Sequence, residues 1–137
     1  MEEIKTETNI QPAVRYIVND VEASARFYVN MLGFKEELHV KDAFASLSMG
    51  KFHLFINRPG AGGAGQSMPD GTAPSPGGWN RFMVTVNNLE NTVKELKTKG
   101  ASFRNEIVKG IGGNQILLQD PSGNLIELFE PMQSNGQ

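Results

Sequence analysis

The chain contains no cysteine. That excludes a disulfide scaffold, a thiolate nucleophile and any metal site built on sulfur. Only two histidines, His39 and His53, are available for imidazole chemistry. No apolar run approaches the roughly 18 residues that a membrane-spanning helix needs. Neither sign of charge dominates: 13 basic residues against 15 acidic ones leave −2, without the basic excess that nucleic acid or an anionic membrane would call for. The opening MEEIKTETNI is acidic and polar where a signal peptide would be basic and then apolar, so a cytoplasmic protein is expected. A length of 137 residues suits one domain with a real core.

What is present is an internal repeat. Val18-Asn19-Asp20-Val21-Glu22 returns as Val86-Asn87-Asn88-Leu89-Glu90. Each copy follows an apolar run and opens a helix, with Asp20 and Asn88 as N-caps. Val21, Ala25, Tyr28 and Leu32 form the apolar stripe of the first helix, and Leu89, Val93 and Leu96 that of the second. Gly33 and Gly100 stop them. Each half closes on an apolar strand ending in proline, HLFINRP at Pro59 and LIELFEP at Pro131. The spacing predicts helices over 21–32 and 89–99. Strands are expected over 12–18, 34–40, 43–49, 52–58, 80–86, 102–108, 114–119 and 124–130. The result is an α+β fold of two tandem βαβββ modules, about 11–59 and 79–131, in a single domain spanning 1–137. The Gly/Pro-rich segment 60–78 joins them as either a functional loop or a linker. Phe27 and Tyr28 read as core, Trp79 as either rim or core, and His39 as a solvated residue on an edge strand.

The stretches AVRYIVNDVEASARFYVNMLGF and QILLQDPSGNLIELFEP resemble the opening module and the closing strands of the vicinal oxygen chelate superfamily. That group holds glyoxalases, extradiol dioxygenases and bleomycin-binding resistance proteins. The resemblance implies that the two mixed sheets curve into a cup around a small-molecule site. In metal-dependent members the ligands come from the first and fourth strands of each module. Carried onto this sequence, those positions hold Ala13, Phe55, Arg81 and Glu127.

That set suits a cation poorly. Alanine and phenylalanine have no ligating atom, and a guanidinium repels a metal ion. The resemblance therefore implies a member that lacks most metal-ligand residues and needs no metal cofactor, with a divalent metal as the alternative. Glu127, a charge inside an apolar strand, is expected to form a buried ion pair with Arg81 where relatives hold the metal. Both are candidate catalytic residues. Arg15, His53, Phe55, Asn57 and Gln115 join Arg81 and Glu127 as candidate ligand-binding residues, and Gln119 alternates onto the same face as Gln115. Arg104 and Asn105 match nothing catalytic.

Three functions stay open: a glyoxalase-like domain binding a small molecule without a metal, a metal-dependent lyase, isomerase or dioxygenase, and a drug-sequestering resistance protein. The expected partners are a small-molecule ligand and a second copy of the chain in a homodimer, with neither nucleic acid nor membrane. An isolated cup of this kind leaves sheet edges open, which a partner would cover.

Overall fold

The computed structural model describes residues 12–133. The first module runs β1 (Ala13–Ile17), α1 (Val21–Leu32), β2 (Lys35–Val40), β3 (Phe44–Met49) and β4 (Phe52–Asn57). Its sheet has the order β1-β4-β3-β2, with β1 parallel to β4 and the other pairs antiparallel. The second module runs β5 (Arg81–Thr85), α2 (Leu89–Thr98), β6 (Ser102–Phe103), β7 (Val108–Lys109), β8 (Gly113–Gln119) and β9 (Leu125–Pro131). Its sheet repeats the scheme as β5-β9-β8-β6, and β7 also pairs with β8. The fold is thus mixed α+β, with two βαβββ modules.

Local chemistry sets the helix ends. Asp20 accepts a hydrogen bond from the Ala23 amide at 3.0 Å, and Asn88 accepts one from Asn91 at the same distance. Each side chain satisfies an amide that the helix itself leaves without a partner. Gly33 ends α1 in the left-handed region at φ 80°, and its amide returns to the carbonyls of Tyr28 and Val29. The expected stripes are buried at Val21, Ala25, Tyr28, Leu89, Val93 and Leu96, whereas Leu32 is half-buried at the edge of the core.

One expected strand is broken. Residues 102–108 form two short strands instead of one. Between them the Asn105 side-chain oxygen accepts from the Leu117 amide at 2.9 Å, replacing the backbone carbonyl of a continuous ladder.

The modules share one core. Phe82, on β5, sits among Tyr16, Tyr28, Phe34 and Phe52 of the first module, with ring centroids 4.9 to 6.4 Å apart. Such offset and edge-on pairs add to the area they bury. Phe27 and Tyr28 are buried, as core residues should be.

A polar clasp ties the seam. In the turn before β9, the Asp120 carboxylate accepts from the amides of Ser122 and Asn124 and from the Tyr28 hydroxyl at 2.8 Å. Asn124 then donates to the Ile17 carbonyl and accepts from the Gly77 amide, both at 2.8 Å. Burial and the adjacent Asp120 charge push the Tyr28 hydroxyl well above its ordinary pKa, so it remains a proton donor.

Residues 58–80 carry no helix or strand, yet their first half is tightly folded. The Gly60 amide donates to the Gly65 carbonyl, and the Gly65 amide donates to the Ala61 carbonyl. A side chain at Gly65 would stand 2.5 Å from the carbonyl oxygens of Arg58 and Ala61. Glycine is required there by space, not by a positive φ.

Among the described residues, no helix is long and apolar enough to cross a membrane.

Candidate functional site in the cup

Each sheet packs one face against the core and leaves the other uncovered. Register assigns the uncovered face of the first sheet. Ala13 lies opposite His53, and Arg15 opposite Phe55 on β4. Across the next pair, Ser46 lies opposite Phe55, Ser48 opposite His53, and Phe44 opposite Asn57. The alternate residues Tyr16, Ala45, Leu47, Leu54 and Ile56 all point into the core.

Arg15 is held on this face by two contacts. Its guanidinium donates to the Asn57 side-chain oxygen at 2.5 Å and lies over the Phe55 ring, 5.1 Å from the centroid. Asn57 is itself buried and donates to the Ala61 carbonyl, so the compact start of the loop fixes the residue that fixes Arg15. The rings of His53 and Phe55 lie within 14° of parallel, and those of Phe44 and Phe55 within 10°.

Three participants were missed by the sequence reading: Phe44, Ser48 and Glu37. The alternation of Phe44, Ser46 and Ser48 with apolar Ala45 and Leu47 carried a signal for the first two. Glu37 carried none, because a register shift between Glu36 and Leu38 is what turns it toward Ser48. Ser48 donates to Glu37 at 2.6 Å, and this bond, with Lys35 nearby, holds the Glu37 carboxyl below its ordinary pKa.

On the second sheet Arg81 and Glu127 meet directly. Both Nε and Nη2 of Arg81 stand 3.0 Å from the same carboxylate oxygen, Oε1. The expected burial is not found. Arg81 keeps 30% of its side-chain surface in solvent and Glu127 13%, because β5 lies at the edge of its sheet. Gln115 shares this face, opposite Phe129 and Val108, but touches neither Arg81 nor Glu127.

Gln119 is engaged elsewhere. Its side-chain oxygen accepts two bonds from Arg104, whose guanidinium also covers the Trp79 ring at 5.2 Å. Trp79 is 68% exposed, so it belongs to the rim and not to the core.

The arginines of the two modules come together at the seam. A cavity of about 340 Å³ opens between β1 and β5, lined by Arg15, Tyr16, Asn80, Arg81, Asn124 and the loop residue Ser75 among others. A larger cavity of about 430 Å³ lies away from this face, between α1 and the start of β6. It gathers no cationic side chain, and its one charged group, Asp120, is already fully engaged in the seam clasp. The chemistry therefore points to the smaller cavity.

The residue-by-residue architecture has counterparts. The sequence model of the Glyoxalase/Bleomycin resistance protein/Dioxygenase superfamily matches residues 10–128. The chain belongs to this superfamily. No curated protein matches it significantly.

Solved structures share the fold at low identity. A lactoylglutathione lyase from Agrobacterium tumefaciens superposes with a TM-score of 0.70 at 14% identity, covering 91% of this chain and 96% of that one. A superfamily member from Sphaerobacter thermophilus gives 0.70 at 22% identity, covering 90% and 98%. An antibiotic-binding protein from a Streptomyces species gives 0.69 at 18% identity, covering 93% and 99%. Structures with this fold thus include a lyase and an antibiotic-binding protein, and the fold does not choose between those uses.

The four positions that serve as metal ligands in metal-dependent members do not fit a metal in this chain. Ala13 and Phe55 offer no donor atom, Arg81 is a fixed cation, and Glu127 is already paired with it. Among the described residues no group of three histidine, aspartate or glutamate side chains is placed to hold a metal ion.

His39, expected to be solvated, is instead pinned outside the cup. Its Nε2 stands 2.8 Å from Glu22 on α1 and its Nδ1 3.2 Å from Glu36. The Asp42 amide donates to the same Glu22 carboxylate.

Proposed function

We propose that this chain is a glyoxalase-superfamily domain that binds a small organic molecule in its cup without a metal ion. The observation that carries this is the Arg81–Glu127 pair. A guanidinium occupies the place of a ligand and contributes the positive charge that a metal would otherwise bring to Glu127. Arg81 is exposed enough to offer its remaining N–H groups to an anionic or carbonyl oxygen of a ligand, while Glu127 fixes its direction.

The likeness to an antibiotic-binding protein supports sequestration as one use of such a cup. The working unit is a homodimer. Leu38 and Met83 are more than half exposed on the faces turned away from the core, and among the described residues no strand pairs with the outer edge of β2.

A thermal-shift screen of a small-molecule library, run with and without EDTA, tests this. Compounds are expected to raise the melting temperature equally in both conditions, and to lose their effect in Arg81→Ala. Stabilisation that disappears on adding EDTA would contradict the proposal.

A further inference from the structure

We infer, resting on the small-molecule reading above, that the ligand is a flat aromatic molecule bearing an anionic group. Its rings lie against Phe44, Phe55 and His53, and its anion sits at Arg15. Three observations converge on this.

First, the three rings share one orientation, within 10° and 14° of parallel. A fused ring system aligned with one is therefore aligned with all three, which suits offset stacking. A pliable aliphatic ligand would gain nothing from that alignment.

Second, the row keeps ring surface open to a ligand. The cross-strand partners of His53 are Ala13 and Ser48, and those of Phe55 are Ser46 and Arg15, whose guanidinium covers part of the ring. Larger side chains at such positions would normally cover adjacent rings. Here Ala13, Ser46 and Ser48 stop short, and His53, Phe44 and Phe55 all remain partly exposed.

Third, Arg15 is oriented but not neutralised. Asn57 and the Phe55 face hold its guanidinium, and among the described residues no carboxylate pairs with it, whereas Arg81 has Glu127. Its other N–H groups are left for the seam cavity, which it lines together with Arg81. A planar fork already set in place recognises a carboxylate with little further ordering.

Calorimetric titration of the full chain with 2-naphthoate, 2-naphthamide and decahydro-2-naphthoate tests the assignment. The flat acid is expected to bind roughly tenfold tighter than the saturated acid, which cannot stack. It should also bind roughly tenfold tighter than the uncharged amide, which cannot form a charge-assisted bond. Phe55→Leu should erase the first preference and Arg15→Gln the second, while Phe55→Tyr keeps both. Circular dichroism confirms that each variant is folded. Equal affinity for the flat and saturated acids, or preferences that survive both substitutions, would overturn the inference and leave small-molecule binding intact. Failure of all three probes to bind would also overturn it, while the broader proposal stands or falls on its own library screen.

Discussion

Arg81 and Glu127 face each other diagonally across β5 and β9, with two guanidinium nitrogens on one carboxylate oxygen. Their partial exposure sets the energetic scale. A partly solvated ion pair contributes about 1 kcal/mol or less, far below the cost of breaking a buried one. Arg81→Ala should therefore lower the urea-unfolding free energy by no more than about 1 kcal/mol. The double variant Arg81→Met with Glu127→Leu should be close to wild type in stability yet fail to bind ligand. A loss of several kcal/mol in the single variant would mean that the pair is structural first.

Phe82 packs the second module onto the first. It is 9% exposed and contacts four aromatic rings of the first module. Phe82→Ala is expected to cost about 3–5 kcal/mol through lost burial and the cavity left behind. Calorimetry should show one transition in the wild type. Two separate transitions in the wild type would contradict a shared core.

The His39 pin gives stability a pH dependence of defined sign. The hydrogen bond to Glu22 raises the His39 pKa above its ordinary 6.5, so this stabilisation is complete below 6.5 and lost as pH rises through the elevated value. Glu22 moves the other way, from 4.5 to about 2, drawn down chiefly by the Asp42 amide and then by His39. Its stabilisation is present above 4.5 and lost as pH falls toward 2. The pin should thus contribute most between pH 4.5 and 6.5. Melting temperatures of wild type and His39→Gln across pH should differ most in that window and converge on the alkaline side. A constant difference at every pH would show that His39 acts by packing alone.

Local signals were legible in the sequence and register was not. Asp20, Asn88 and Gly33 work through bonds to residues three to five positions away, so the helices and the repeat could be read directly. The break at Asn105 depends on a side chain reaching the Leu117 amide twelve residues on, and the period of alternation does not reveal it. The site divides in the same way. Alternation correctly put His53 and Phe55 on one face of β4. Glu37 reaches Ser48 only because β2 shifts register, and His39 meets Glu22 only because α1 packs beside that strand. The exposure of Arg81 follows from the edge position of β5, which sequence spacing cannot supply.

The proposed function places a paired guanidinium where metal-dependent members of the superfamily carry their metal. Elemental analysis of the chain, purified without chelators and after incubation with zinc, nickel, manganese and iron, tests it most directly. No stoichiometric metal is expected in any case, and the same result is expected for Glu127→Ala. One transition metal per chain, lost on Glu127→Ala, would contradict it.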